Sequence, residues 1–449
     1  MRSHVLLCVL MSFAMTGNEV ATAEEPDKPN ILIIVSDDQG SADAGFQGSK
    51  EAITPHLDAL AKSGVRCTNG YAPHCVCAPS RAGLLTGRYQ ARFGFEYNPP
   101  HEPSNEQLGL PLTERLLPKY LKEAKYKTGW VGKWHLGATP KHVPWNRGFD
   151  ETYGFVGGGH QYRDWKPGMV DQYLPLMRNG KETTDVPPHL TAALGEEAAS
   201  FIRGNRTQPW MLYLAFNAPH SPHQPTAERE AKFKGIANPQ RRRYLAQLSL
   251  LDDAIGEVIA SLKETDQIKR TLVFFFSDNG GQLLHSGNNA PLREGKGTLY
   301  EGGVRVPFVV SWPGRLPQGT TFDEPVIALD AFATGLAVAG VTPPRDVKFD
   351  GVDLMPHLTG KVKTPPHERL FWRMRQESQV THAVREDNWK AIRIGKKPVE
   401  LYDLAADIAE SKNLASEKPE VVERLTAAID AWDKELAPSA TTGKIPSGK

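Results

Sequence analysis

Two apolar runs in this chain end in oxygen-bearing side chains. ILIIV leads through Ser36 to Asp37 and Asp38, and TLVFFF leads through Ser277 to Asp278 and Asn279. Taken singly, each pair reads as a turn or a helix cap, because Asp, Asn and Gly are ordinary turn residues. Taken together they offer four hard oxygen donors and no histidine, a set suited to calcium or magnesium rather than zinc. Cationic side chains recur at similar places. Lys133 and His135 stand two apart in VGKWHLG, His220 follows the apolar run WMLYLAF, and Lys296 lies among glycines in LREGKGTLYEGG. The two-residue spacing puts Lys133 and His135 on one face if the strand continues through both. Each signal alone is weak, since a lysine in a Gly-rich loop is ordinarily solvated and His223, near His220, reads as a loop residue. Jointly they describe an anion site beside a metal, able to stabilise a multiply charged oxyanion during group transfer.

Cys77 stands in HCVCAPSRAGLLTGR, two residues before Pro79 and four before Arg81, where an irregular run gives way to a helix-forming one. Residues 1–23 carry a basic start at Arg2, the apolar run VLLCVLMSFAM and the small-residue site Ala21-Thr22-Ala23. That pattern predicts a secretory signal and a periplasmic or secreted protein. No later stretch reaches the roughly 18 uninterrupted apolar residues of a membrane span. Loss of the signal removes Cys8 and leaves Cys67, Cys75 and Cys77, an odd number where thiols usually pair. One cysteine is left over, free or modified. With 53 basic and 52 acidic residues, nothing suggests a nucleic-acid surface.

These residues need a scaffold, and strand-like runs alternating with helical ones predict an α/β fold with a large, mostly parallel sheet flanked by helices. Thr54, Pro55 and Gly64 read as the N-cap, first turn and stop of one helix. A second helical stretch, TERLLPKYLKEAKY, reads as broken or bent near Pro118, and RRRYLAQLSLLDDAIGEVIASLKET is the longest helix. Parallel sheets bind ligands beyond the carboxyl ends of their strands, where the aspartates fall. After residues 350–360 the texture shifts to short alternating runs and one amphipathic helix, predicting a small antiparallel sheet with a covering helix. The expected organisation is a signal at 1–23, a catalytic domain at 24–362, a C-terminal subdomain at 363–437 and a disordered tail at 438–449.

CAPSR at 77–81, extended by AGLLTGR, resembles the Cys-x-Pro-Ser-Arg signature of type I sulfatases of the alkaline-phosphatase-like superfamily, whose cysteine is oxidised to formylglycine during export. PNILIIVSDDQG, TPHLDALAKSGV, TGWVGKWHLG, RGFDETYGF, APHSPH, SDNGG, REGKGTLYEGGVRVPFVVSWPG and ELYDLAADIAESKNLA resemble sulfatase segments in sulfatase order, over about residues 29–416. The pattern is most similar to arylsulfatase A-like and N-acetylgalactosamine-6-sulfatase-like members.

The resemblance implies a sulfuric ester hydrolase acting on sulfated carbohydrates, matured by formylglycine-generating machinery and using one calcium ion. It selects Cys77 for oxidation over Cys75, which lacks a proline two residues on, and leaves Cys67 and Cys75 disulfide-bonded or reduced. Carried over by position, Asp37, Asp38, Asp278, Asn279 and the residue made from Cys77 hold the calcium, while Arg81, Lys133, His135, His220 and Lys296 surround aldehyde and sulfate. The expected roles are protonation of the leaving alcohol by His220 and assistance to the second deprotonation of the hydrated aldehyde by His135. The nucleophile is expected at a helix N-terminus, where free amides favour an anion. One rival is a phosphodiesterase or phosphonate hydrolase of the same superfamily, though two-zinc members place Asp-His where this chain has Asp278-Asn279. The other is a non-catalytic glycan-binding protein, which predicts loss of a chemical residue, and none is missing. The loop at 154–180, with His160, Arg163, Asp164 and Trp165, is expected either as a sugar subsite or as a surface excursion.

Overall fold

The computed structural model describes residues 28–164, 175–184, 186–376 and 379–438. The expected signal, nearly all of the expected tail, and Trp165 lie outside the described residues. Sixteen strands occur among those described. The first twelve are β1 (Asn30–Asp37), β2 (Val65–Cys67), β3 (Gly70–Tyr71), β4 (Lys127–Lys133), β5 (Glu151–Phe155), β6 (Met177–Arg178), β7 (Lys181–Glu182), β8 (Trp210–Pro219), β9 (Thr271–Ser277), β10 (Phe308–Ser311), β11 (Thr320–Phe322) and β12 (Val326–Ile327). The last four are β13 (Arg369–Gln376), β14 (Gln379–Glu386), β15 (Trp389–Ile394) and β16 (Glu400–Asp403). Ten form one sheet in the order β11-β2-β10-β9-β1-β8-β4-β5-β6-β7, and β3 pairs with β12. Its centre, β9-β1-β8-β4-β5, is parallel throughout, whereas β10 runs antiparallel to β9.

The helices are α1 (Pro55–Lys62), α2 (Cys77–Thr86), α3 (Leu117–Glu123), α4 (Leu190–Gly204), α5 (Ala227–Ala231), α6 (Pro239–Glu264), α7 (Glu301–Val304), α8 (Leu329–Val338), α9 (Met355–Leu358) and α10 (Pro419–Asp433). Why β1 is apolar without alternation follows from its burial on both faces. Ile31, Ile33 and Val35 pack with Leu85 of α2, Leu117 of α3 and Phe332 of α8, while Leu32 and Ile34 pack with Leu57 of α1, Leu194 of α4 and Leu251 of α6. Among the described residues no helix is long and apolar enough to cross a membrane.

The antiparallel sheet β13-β14-β15-β16 is likewise sandwiched. Leu370, Trp372 and Ile392 face Tyr71, Cys75 and Leu299 of the large unit, and Val384, Ala391 and Leu401 face Val421, Leu425 and Ile429 of α10.

Three local expectations change. Thr54 occupies the N-cap position of α1 but makes no capping bond, because its hydroxyl accepts from Gly45 N at 2.8 Å and donates to Asp58 Oδ1 at 3.2 Å. Pro118 opens α3 rather than bending it, as suits a residue without an N–H in a first turn. And β4 stops at Lys133, because His135 has φ of 62°, so the two side chains do not share a strand face.

Candidate active site

Adjacent parallel strands β9, β1, β8 and β4 bring their carboxyl ends together, and each ends in, or is followed at once by, a residue singled out by the sequence. Asp37 closes β1 at a register shift against β8, and Asp38 follows in the left-handed region, with φ of 62°. Asp278 and Asn279 follow β9, His220 follows β8 and Lys133 ends β4. Cys77 is the first residue of α2, preceded by Val76 in extended conformation. The second amide of that helix, Ala78 N–H, donates to Asn98 Oδ1 at 3.0 Å.

Charges interlock across the strand ends. Lys133 Nζ lies 2.6 Å from Asp37 Oδ2, with neither side chain exposed. Lys296 Nζ is 2.7 Å from Asp38 Oδ1 and 3.3 Å from Cys77 Sγ. Arg81 grips Asp278 Oδ2 through Nε at 2.9 Å and Nη2 at 2.7 Å, and comes within 3.6 Å of Asp37. Cys77 Sγ is 3.5 Å from Asp37 Oδ1. His220 Nε2 stands 3.6 Å from Asp38 Oδ2, and its Nδ1 contacts Ser221 O at 2.6 Å, the geometry of an N–H donated to that carbonyl.

The pKa shifts follow from this packing. Burial would raise Asp37, but Lys133, His220, Arg81 and Lys296 hold it far below the carboxylate range. Burial and the neighbouring Asp37 charge push Asp278 upward despite Arg81. Burial pushes the Cys77 thiol up to about 12, so it is no ready thiolate. Burial, with Lys133 and Arg81, holds His135 well below 6.5 and therefore neutral. Its ring contacts the 156–158 loop so closely that a Cβ on Gly158 would stand 2.5 Å from Nε2.

A divalent cation fits this donor set. Donor atoms of Asp37, Asp38, Cys77 and His220 lie within 4.8 Å of one another. Asn279 Nδ2 donates to Asp38 Oδ1 at 2.8 Å and to Gly280 O at 2.9 Å, while its Oδ1 is buried without a partner among the described residues. An orphaned buried acceptor among carboxylates is the place for a cation rather than another acceptor. His220 joins this cluster, and Asp278 lies beside it, its Oδ2 held by Arg81 and its Oδ1 accepting from Asp38 N at 3.3 Å.

Other residues complete the site without a sequence signal. Tyr213, inside apolar β8, places its hydroxyl 3.5 Å from Arg81 Nη1. His285 sits close enough to His220, Asp38 and Lys296 to feel their charge. In the 154–180 loop, His160 is 1% exposed, its Nδ1 2.6 Å from Gln161 O and its ring against Phe155, while half-buried Arg163 pairs with exposed Asp164 at 2.7 Å. The three cysteines among the described residues are free and buried, so Cys67 and Cys75 form no disulfide.

The chain is similar to sulfatases in sequence and in structure. The Sulfatase family model matches residues 29–341, and that of the N-sulphoglucosamine sulphohydrolase C-terminal region matches residues 295–435. N-acetylgalactosamine-6-sulfatase of Canis lupus familiaris is 36% identical over 375 residues, covering 78% of this chain and 70% of the relative. The crystal structure of Ps i-CgsB in complex with k-i-k-neocarrahexaose superposes with a TM-score of 0.88 at 37% identity, covering 92% of this chain and 94% of that one. PsFucS1 sulfatase from Pseudoalteromonas sp. gives 0.77 at 26% identity, covering 92% and 91%.

Proposed function

This chain belongs to the type I sulfatase family, of the alkaline-phosphatase-like superfamily, and on that premise we propose how it works and on what. It is a sulfatase, an enzyme of sulfate ester hydrolysis. Its substrate is a sulfated carbohydrate, its nucleophile is made from Cys77 by oxidation to formylglycine, and its metal is calcium. The observation that carries this reading is the seat of Cys77. The residue opens a helix, 3.3 Å from Lys296 Nζ and 3.5 Å from Asp37 Oδ1, as a protonated thiol in a site crowded with cations. Such a thiol is a poor nucleophile as it stands.

Formylglycine at residue 77 would supply a hydrated aldehyde, one hydroxyl serving as nucleophile toward sulfur as the S–O bond to the alcohol breaks, and the other, on giving up its proton, re-forming the aldehyde as the C–O bond to sulfate breaks. Asp37, Asp38, Asp278, Asn279 and residue 77 would hold the calcium, which would supply Lewis acidity toward a sulfate oxygen. The protein's own residues do the rest. Three carboxylates face Arg81, Lys133 and Lys296, so the cluster closes near neutrality and a divalent ion turns it toward anions. Lys296, touching both Asp38 and residue 77, lies where it can bind a sulfate oxygen. His220, its Nδ1–H fixed on Ser221 O and its Nε2 3.6 Å from Asp38 Oδ2, is the proton donor to the departing alcohol in its doubly protonated form, giving up the Nε2 proton. Neutral His135 is the acceptor for the proton lost on sulfate release.

Export to a periplasmic or extracellular space accords with the signal-like residues 1–23. The carbohydrate assignment draws on relatives, one named for N-acetylgalactosamine 6-sulfate and one solved with a neocarrahexaose. Mass spectrometry of the peptide containing CAPSR, from protein secreted by its own host, should show formylglycine at residue 77. An unmodified thiol throughout would refute the mechanism. Strong preference for aryl phosphates over aryl sulfates would refute the reaction class.

A further inference from the structure

Directly after His220 the chain turns into a cavity of about 520 Å³, lined by Ser221, His223, Asn238, Gln240, Arg243 and His285 along with Pro239. We propose that this cavity is the subsite that selects the saccharide, and that it receives a second anionic substituent, a sulfate or carboxylate, on the sugar whose sulfate is removed. The inference rests on the sulfatase reading, because it takes His220 as the residue facing the leaving alcohol.

Position is the first argument. Ser221 and His223 continue the segment that carries His220, and His285 lies within electrostatic reach of His220, Asp38 and Lys296. The alcohol departing toward His220 therefore emerges on this side, and the sugar bearing it must lie over the cavity. By contrast, in the described part of the 154–180 loop His160 is buried in packing and Arg163 is paired with Asp164.

Charge is the second argument. Among the described residues, no carboxylate lines the cavity. The Arg243 side chain is 53% exposed and, among the described residues, meets an acid only at 3.9 Å, at Glu230 Oε1, which already accepts from Arg242 at 3.0 Å. Its guanidinium is thus available for the forked contact that suits sulfate or carboxylate. The 26-residue α6 begins at this cavity, adding the positive end of a helix dipole.

Unsatisfied groups are the third. His223 Nε2 and His285 Nδ1 are buried without partners among the described residues, and their rings stand 6.3 Å apart at 87°. Two imidazoles left in that state fit a polar ligand that supplies hydroxyls and anionic oxygens. Leu284, 81% exposed on the rim and tied through its carbonyl to Gln240 Nε2 at 2.9 Å, offers an apolar edge for a sugar ring.

The test is sulfate release from mono- and disulfated oligosaccharides of chondroitin sulfate and carrageenan, by wild type, Arg243→Ala and Arg243→Lys, with 4-nitrophenyl sulfate and 4-nitrophenyl phosphate in parallel. The expected result is a preference of wild type for a disulfated saccharide of at least tenfold in kcat/KM, lost in Arg243→Ala and partly kept in Arg243→Lys. Equal use of mono- and disulfated saccharides, a preference that survives Arg243→Ala, or cleavage of 4-nitrophenyl sulfate but no disulfated saccharide overturns the subsite while leaving the sulfatase reading standing. Cleavage of the phosphate ester alone overturns the sulfatase reading itself.

Discussion

Gly158→Ala isolates the contribution of His135. Neither Gly158 nor its neighbour Gly159 has φ in the left-handed region, so alanine is sterically permitted by the backbone at both. A Cβ on residue 158 would lie 2.5 Å from His135 Nε2, 2.7 Å from Cε1 and 3.1 Å from Cδ2, whereas a Cβ on residue 159 would meet nothing within 4 Å. Ordinary contacts between such atoms lie near 3.5–4.0 Å, so the imidazole must retreat by about 1 Å. A misplacement of that size at a reacting group costs roughly 100-fold in rate, or about 2.7 kcal/mol in the barrier. Gly158→Ala should therefore lose about two orders of magnitude in kcat for sulfate release, measured on protein matched for conversion of residue 77. Gly159→Ala should keep wild-type rates and gain a few tenths to about 1 kcal/mol of stability through a less flexible unfolded chain. Activity of Gly158→Ala within threefold of wild type would refute the role given to His135, and equal loss in both variants would assign the effect to the loop rather than the ring.

Chelation should abolish activity, and calcium should restore it better than zinc, given the oxygen-rich donor set; restoration by zinc alone would contradict the metal assignment. Lys390→Met should cost about 3–5 kcal/mol in chemical denaturation, because Lys390 Nζ lies fully buried 2.8 Å from Glu301 and 3.1 Å from Glu410, and its loss leaves both carboxylates buried without it. His367 is half of a pH-dependent pair: burial would lower it, but Asp330, 2.9 Å away, raises it above 6.5. The pair's contribution is therefore complete below pH 6.5 and is lost as pH rises through the folded value, so as pH is raised above 6.5 the Tm of wild type should fall relative to that of His367→Gln. Parallel Tm curves would disprove the coupling.

What the chain made legible, and what it hid, divides along sequence distance. β1 and β9 are readable because burial on both faces demands unbroken apolar runs, and their terminal aspartates are readable because a parallel sheet gathers its ligands at one end. The pairing of Arg81 with Asp278 joins residues 197 apart and has no local signature. Tyr213 looks like any core aromatic in β8, and His285 like any loop residue in LLHSGNN. The spacing of Lys133 and His135 misled for a different reason: period-two reasoning presumes extended backbone, and His135 takes a positive φ that its residue type does not announce.

The change of texture near residue 362 also conceals a physical continuity. Lys296 belongs to a loop between β9 and β10 whose backbone is held from both sides. Gly297 N donates to Cys75 O at 2.9 Å, and Lys296 N to Gly281 O at 3.2 Å. A few residues along, Glu301 receives Lys390 from β15 and gives its N–H to Glu410 Oε2 at 2.7 Å. Just before Lys296, Arg293 donates to Tyr402 Oη and Glu410 O, both at 3.0 Å. The lysine that contacts Cys77 is thus braced through buried charge that comes from the C-terminal sheet. A buried ionic brace contributes little net stability but fixes geometry, since each member left alone would be strongly penalised. On that logic the small sheet serves the chemistry by holding the loop of Lys296 in register with the strand ends, rather than by contributing a reacting group of its own.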